Sequence, residues 1–422
     1  IRGLGVEGYG LYILLNSAAS YLPVLSLGAG LALVKYLSEH DSVAEGRAVR
    51  GVLRAGAWMH LGPAALGGAV LWATAPRLAA TFLHVPDARL DDAVLVLRAA
   101  AVGGTFLSAF QWAIASLQGL RRFDLQNLLV VSQGVLMSTG ALTLIALGHG
   151  VVAIAWWFAA LNVLCFCAGA VLVLLEIAPM PESGPPAKLR PFFLFGLGAW
   201  PGPMACIVSN QVDKLFVLRV QQLVSLTLYA VPTAVLQRLQ VLPASVASVL
   251  LPTVSAASRP ESAETLCRIY LRVMRIMLAL LWPTYVLLFA FMPQLLSLWL
   301  GGRFGDDSVW PARLLVAGQA LAVMAYVPNT ITVGLGRSLF ATVLAWVQAG
   351  LSLLLWALLV PRYGILGAAA GAAAGQALPA VVYVVFVQAR LLRLGLRRFL
   401  ADGLAAPFIS SAVLLAAAML LH

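Results

Sequence analysis

DDAVLVLR at residues 91–98 returns as DDSVWPAR at residues 306–313, a DDxVxxxR pattern repeated at a spacing of 215 residues. The register holds around it. Gly119, Leu120 and Arg122 match Gly334, Leu335 and Arg337, and Gln133 matches Gln348, at the same spacing. Gly150 matches Gly364 at 214, while Leu11, Tyr12, Pro76 and Leu78 match Leu228, Tyr229, Pro293 and Leu295 at 217. Collinear identities at the ends of apolar runs mark an internal repeat, and a repeat of this length constrains the fold more than any single motif.

The repeated unit is built for lipid. Of 422 residues, 62% are hydrophobic and only 10% charged, and the mean hydropathy is +0.95, whereas soluble domains carry about 25% charged residues. A helix needs ~20 mostly apolar residues to cross a bilayer. Apolar runs between charged or Gly/Pro breaks predict helices near 9–37, 51–74, 92–117, 126–147, 151–175, 192–219, 223–254, 269–299, 311–333, 339–360, 364–388 and 403–421. Pro201, Pro203, Pro232 and Pro243 are expected to kink the longer ones. The expected fold is an all-α polytopic membrane protein of about 12 transmembrane helices, with two pseudo-symmetric six-helix lobes and an extra C-terminal helix. Residues 1–175 form the N-terminal lobe, 176–191 a proline-rich cytoplasmic linker, 192–388 the C-terminal lobe, and 389–422 a basic loop with the extra helix. Each lobe has an even number of spans, so both cross in the same sense and their pseudo-twofold axis runs along the membrane normal. The partner of NQVDKL (210–215) falls upstream of Ile1, so the first helix of the first lobe is expected to precede this chain.

A net charge of +11 in a soluble protein would suggest nucleic acid; here the bases sort by loop. One alternate set of loops holds seventeen Lys and Arg, including Arg47, Arg50, Arg54, Arg121, Arg122, Arg272 and Arg275, and the other set holds six. The richer set faces the cytoplasm by the positive-inside rule, so the charge is topological and no nucleic-acid partner is expected. Cys165, Cys167, Cys206 and Cys267 have no metal-ligand spacing and read as buried free thiols. None of the three lysines follows a glycine, so there is no Walker A loop, and no cofactor, metal or catalytic residue is expected.

Four bases fall inside the predicted spans: Arg98, Lys214, Arg219 and Arg238. Ionisable groups there cost ~2.5–3.5 kcal/mol on insertion scales and mark functional positions. Asp213 and Lys214 are sequence neighbours, point about 100° apart on a helix, and are not expected to pair. Asn210 and Lys214 share a face. These groups either snorkel to the outer headgroups or wall a cavity, depending on whether Pro201 and Pro203 restart the helix. Arg238, flanked by Gln237 and Gln240, reads as a cavity base that grips a pyrophosphate or pairs with Asp213, against the alternative of a structural ion pair. The repeat pairs Arg219 with Arg2 and Arg98 with Arg313. Each of the latter two lies seven residues after the first Asp of a DD pair, which suits an interfacial Asp–Arg clamp or bases flanking a cleft. The candidate substrate-binding set is therefore Asp213, Lys214, Arg238, Asn210, Arg219, Arg2, Arg98 and Arg313. Tyr9, Tyr12 and Tyr229 read as an interfacial aromatic belt, and His60 as structural.

Three stretches carry a family resemblance: LGVEGYGLYILLNSAASYLPVLSLGAGLALVKYLSE (4–39), NQVDKLFVLRVQQLVSLTLYAVPTAVLQRLQVLPASVASVLLPTVSAAS (210–258) and VPRYGILGAAAGAAAGQAL (360–378). They resemble the oligosaccharide flippases (O-antigen and capsule repeat-unit exporters) of the MOP superfamily, which also holds the multidrug and toxin extrusion (MATE) exporters and the lipid II flippases. The resemblance implies two six-helix bundles working by alternating access in a bacterial cytoplasmic membrane. It also implies export of a polyprenyl-pyrophosphate-linked oligosaccharide to the outer leaflet, in contact with membrane lipids, with H+ or Na+ as coupling ion and other polysaccharide-assembly proteins as partners. A MATE-type cation antiporter is the first alternative, disfavoured by a single intramembrane acid among several bases. A membrane glycosyltransferase or polymerase is the second; it would need larger outer loops than 75–91 and 300–310 provide. A non-transporting scaffold is the third.

Overall fold

The computed structural model describes residues 4–39, 45–180, 185–187, 189–221, 223–256, 263–300 and 308–420. Every regular element among them is helical. The first are α1 (Gly5–Ser20), a 3-10 turn at Pro23–Ser26, α2 (Ala29–Glu39), α3 (Gly46–Arg77), α4 (Leu90–Gly119), α5 (Phe123–Ala146), α6 (Val151–Ile177), α7 (Leu189–Ala199) and α8 (Pro201–Val220). Then come α9 (Leu223–Leu239), α10 (Val241–Ala256), α11 (Ala263–Ala290), α12 (Met292–Leu300), α13 (Val309–Ala322), α14 (Tyr326–Gly334), α15 (Ser338–Phe386), the single turn α16 (Leu396–Arg398) and α17 (Ala405–Leu420).

Each predicted span falls on helix, but several are broken. The 192–219 span restarts at Pro201, a residue suited to the first helical position because it has no N–H to leave unsatisfied. The 223–254 span breaks at Gln240. Residues 338–386 run together except at Gly364, whose φ of 55° and ψ of −129° separate two helices just after Pro361, where the sequence puts the boundary. By length and apolarity alone, eight helices among the described residues suffice to cross a membrane, and nine if the bent pair Gly5–Ser26 and Ala29–Glu39 is one span. The strict count is thus below the expected twelve, because broken helices are individually short. Of the cysteines, Cys165 and Cys267 are buried, whereas Cys167 and Cys206 are exposed, correcting the expectation of four buried thiols.

The chain divides into two compact units, Ile1–Ile207 with Gln222–Val224, and Val208–Gln221 with Ser225–His422. The division falls inside α8 and not at 176–191, because α7 packs on α2 and α3 of unit 1. Gly28, at φ +75°, sits so close to α7 that a Cβ on it would lie 2.2 Å from the Gly196 carbonyl oxygen. Trp200 Nε1 donates to the Val24 carbonyl at 2.7 Å, and the Lys35 ammonium lies 4.3 Å from the Phe195 ring centre.

Within unit 1, α4 packs against α1, α2, α3 and α6. Its buried face is mostly small: Ala93, Ala99, Ala100, Gly103, Gly104, Ser108 and Ala113 among others, with Leu97, Phe110 and Leu117 between them. Small residues let helices approach closely where lipid supplies no hydrophobic drive to associate. By contrast α5 leaves Leu128, Val131, Val135 and Leu142 exposed, the surface a lipid-facing helix needs.

The repeat is visible in the local geometry of each unit. At the end of α4, Leu120 N, Arg121 N and Arg122 N donate to the carbonyls of Ser116, Gln118 and Leu117. At the end of α14, Leu335 N, Gly336 N and Arg337 N donate to Ile331, Val333 and Thr332, the same three bonds 215 residues on. The middle residue is left-handed in both, Arg121 at φ 63° and Gly336 at φ 76°. A Cβ on Gly103 would lie 3.1 Å from Ala159 Cα where α4 meets α6, and one on Gly318 would lie 2.5 Å from Ala373 Cα where α13 meets α15. Arg98 stands over the Trp72 ring at 5.3 Å, and Arg313 over Phe289 at 5.3 Å.

Gly28→Ala forces a side chain into a left-handed backbone position and against the Gly196 carbonyl, so it should cost about 2 kcal/mol or more. Gly134→Ala, on a helix face with open space, should be neutral or gain about 0.5–1 kcal/mol. Thermal unfolding of both in detergent checks this; equal midpoints would remove the α2–α7 contact as a determinant of unit 1.

Candidate functional site

Because α8 begins anew at Pro201, Asp213 lies about 18 Å along it at 1.5 Å per residue. It is buried, 3% exposed, and Lys214 is 8% exposed. Tyr229 of α9, itself 1% exposed, donates its hydroxyl to Asp213 Oδ2 at 2.8 Å. Asp213 Oδ1 makes no hydrogen bond among the described residues and lies 3.6 Å from Lys214 Nζ. The expectation that these neighbours do not pair is therefore corrected. Their Cβ atoms do diverge, but the four-carbon lysine stem bends back over the preceding turn. There the ammonium donates to the Asn210 carbonyl and to Gln211 Oε1 at 3.1 Å. Tyr229 is likewise no interfacial belt residue; it is the buried donor that holds the acid.

Asn210, Asp213 and Tyr229 line a small pocket of about 20 Å³ inside unit 2, together with Ser209, Thr233, Gln237, Gln240, Gln319 and Gln376. Gln240 Nε2 donates to Gln319 Oε1 at 3.1 Å across it. The lining is a carboxylate surrounded by neutral oxygen and amide groups. Such a set suits a proton, a hard cation held by oxygens, or sugar hydroxyls. Among the described residues no group of three or more His, Cys, Asp or Glu is placed to hold a metal ion.

The repeat register gives a contrast at the equivalent crossing of unit 1. Gln319 corresponds to Gly104, and Leu236 to Ala19. In unit 1 a Cβ on Gly104 would lie 2.9 Å from the Ala19 carbonyl oxygen and 3.0 Å from its Cα, a closed helix crossing. In unit 2 the glutamine side chain occupies that position and makes the pocket polar.

The other predicted residues lie elsewhere. Arg238 is exposed and does not line the pocket, since it sits a helical step round from Gln237; the ion-pair partner of Asp213 is Lys214 instead. Arg219 is exposed near the end of α8. Arg2 lies outside the described residues. The Asp–Arg clamp is not formed at Arg98: Asp92 pairs with Arg89 at 3.2 Å, and Arg98, half-buried, rests on Trp72. Arg313 donates through Nε to the Phe289 carbonyl at 3.1 Å, while its Asp306 and Asp307 lie outside the described residues. Thus Asn210, Asp213 and Lys214 come together, and Arg98, Arg238 and Arg313 do not line their pocket. Sequence reading missed Tyr229, Gln319 and Gln376, whose signal was a hydrogen-bonding side chain in an otherwise apolar run. His60 is buried against Ser108, whose hydroxyl donates to the His60 carbonyl at 3.0 Å.

Tyr229→Phe leaves the buried carboxylate without that donor and should destabilise unit 2 by about 1–3 kcal/mol. Adding Asp213→Asn should recover part of this, since a neutral amide is cheaper to bury than a charge. Unfolding midpoints of the two single variants and the double variant measure the coupling; Tyr229→Phe as stable as the wild type would show that the bond holds nothing.

Among curated proteins, none matches the sequence. Residues 52–308 match the family described as polysaccharide biosynthesis protein. Among solved structures, the lipid II flippase MurJ in an inward closed conformation aligns at a TM-score of 0.73 with 16% identity, over 98% of this chain and 87% of that one. An inward-facing multidrug resistance MATE family transporter of the MOP superfamily aligns at 0.73 with 16% identity, over 93% of each chain. A MOP superfamily transporter from Pyrococcus furiosus aligns at 0.52 with 15% identity, over 92% of this chain and 94% of that one. At such identities the likeness is one of fold. With the matched stretch covering more than half its length, this multi-pass helical membrane protein belongs to the polysaccharide biosynthesis protein family.

Proposed function

We propose that the protein is a flippase that carries a polyprenyl-pyrophosphate-linked oligosaccharide from the cytoplasmic to the outer leaflet of a bacterial inner membrane, by alternating access of two lobes. The observation that carries this reading is the coincidence of a polysaccharide biosynthesis family match with a helical fold shared with lipid II flippase and MATE transporter structures. The role is transport and not catalysis. In this reading the Asp213 pocket takes the coupling ion, H+ or Na+. Its carboxylate has one oxygen held by Tyr229 and one without a hydrogen bond among the described residues, and an ion or proton entering there would balance Lys214 differently in the loaded and empty states. Arg238, exposed and outside the pocket, is the base assigned to the pyrophosphate, whose oxygens a guanidinium can bind as a fork.

Reconstitution in liposomes with a fluorescent lipid-linked oligosaccharide tests the assignment. Asp213→Asn should slow flipping about tenfold or more and abolish its response to an imposed H+ or Na+ gradient. Arg238→Ala should raise the substrate concentration needed by about tenfold and leave the gradient response intact. Unchanged flipping in both variants would sink the residue roles. Efflux of a cationic drug with no lipid movement would replace the flippase reading with a cation exporter.

A further inference from the structure

We propose that Arg47, Arg50 and Arg54 of α3 form a binding site for a phosphate-bearing anion, separate from the unit 2 pocket and independent of the transport reading. At 100° per residue these three side chains leave the helix within about 60° of one another. They border a cleft of about 450 Å³, lined also by Gly51, Pro186, Ala187 and Leu189. Gly51 forms the closest approach: a Cβ there would lie 3.0 Å from Ala187 Cβ. Arg50 is fixed in place, its Nη2 donating to the carbonyls of Met180 at 2.8 Å and Ile177 at 3.2 Å. Arg47 and Arg54 are exposed on either side of it.

The positive-inside rule explains that this loop is basic. It does not explain why three guanidiniums share one helix face around a cleft. Nor does it explain Arg47 in the first turn of α3, which starts at Gly46, where a basic side chain is unfavourable and an anion is favoured by the positive pole of the helix. A phosphate answers each of these features, since it accepts fork-shaped bonds from several guanidiniums and complements the helix end. Two sources offer that chemistry: the headgroup of an anionic phospholipid, and a soluble phosphate compound.

The test uses the full chain in phosphatidylcholine nanodiscs. Calorimetric titration with inorganic pyrophosphate probes the soluble source. For the lipid source, nanodiscs doped with phosphatidylglycerol are followed by mass spectrometry of the lipid retained after detergent extraction. R47Q/R54Q spares Arg50 and its structural bonds, and R272Q/R275Q, on the exposed face of α11, removes the same charge elsewhere. In at least one arm, R47Q/R54Q should lose about tenfold or more in binding while R272Q/R275Q stays within about twofold. Pyrophosphate loss assigns a soluble ligand, and phosphatidylglycerol loss a headgroup. The site is overturned if R47Q/R54Q binds both probes as the wild type does, or if the two double variants lose binding equally, which would be general electrostatics. Circular dichroism of each variant confirms that helix content is unchanged.

Discussion

Helices in lipid have no hydrophobic incentive to associate, since acyl chains are as apolar as leucine, and they pack only where their backbones can come close. That constraint organises both halves of this protein. Gly103 against Ala159, and Gly318 against Ala373, place two helix pairs at near-backbone contact. Helices α1, α2 and α3 gather on the same small-residue helix, α4, whose Ser108 and Thr105 hydroxyls donate to backbone carbonyls. Larger side chains are turned outward, where α5 offers leucine and valine to the bilayer.

A fold held by close backbone approach is sensitive to polar groups in its interior, and unit 2 contains a cluster of them. Asp213, Lys214 and Tyr229 are each less than a tenth exposed. Taken singly, each would be costly to place in lipid; together they exchange one direct hydrogen bond and one ion pair at 3.6 Å. The arrangement is incomplete, since one carboxylate oxygen makes no hydrogen bond among the described residues. Partly satisfied buried networks are costly in a purely structural role.

Much of the architecture was legible because the repeat is written at helix boundaries. Gly119, Leu120 and Arg122 recur as Gly334, Leu335 and Arg337 since a tight helix-ending turn limits what its positions accept. Helix breaks at Pro201 and near Gly364 follow from local backbone chemistry and were also readable. What failed was anything depending on side-chain reach or burial. Lysine's stem defeats an argument made from Cβ directions, so the Asp213–Lys214 pair was missed. Tyr229 has the composition of an interfacial tyrosine and only its packing shows otherwise. Arg98 has an aspartate at helical spacing but an indole nearer in space. Arg238 sits one residue from Gln237, and that single step decides which of them faces the pocket.

The exchange of Gly104 for Gln319 at equivalent places in the two units bears on how such a molecule diversifies. With glycine the two helices close on each other; with glutamine a partner amide is recruited and a polar pocket lies beside a carboxylate. The surrounding helices keep the same order and turns. The two halves therefore carry one scaffold on which, at this one crossing, glycine makes a packing joint and glutamine a polar wall.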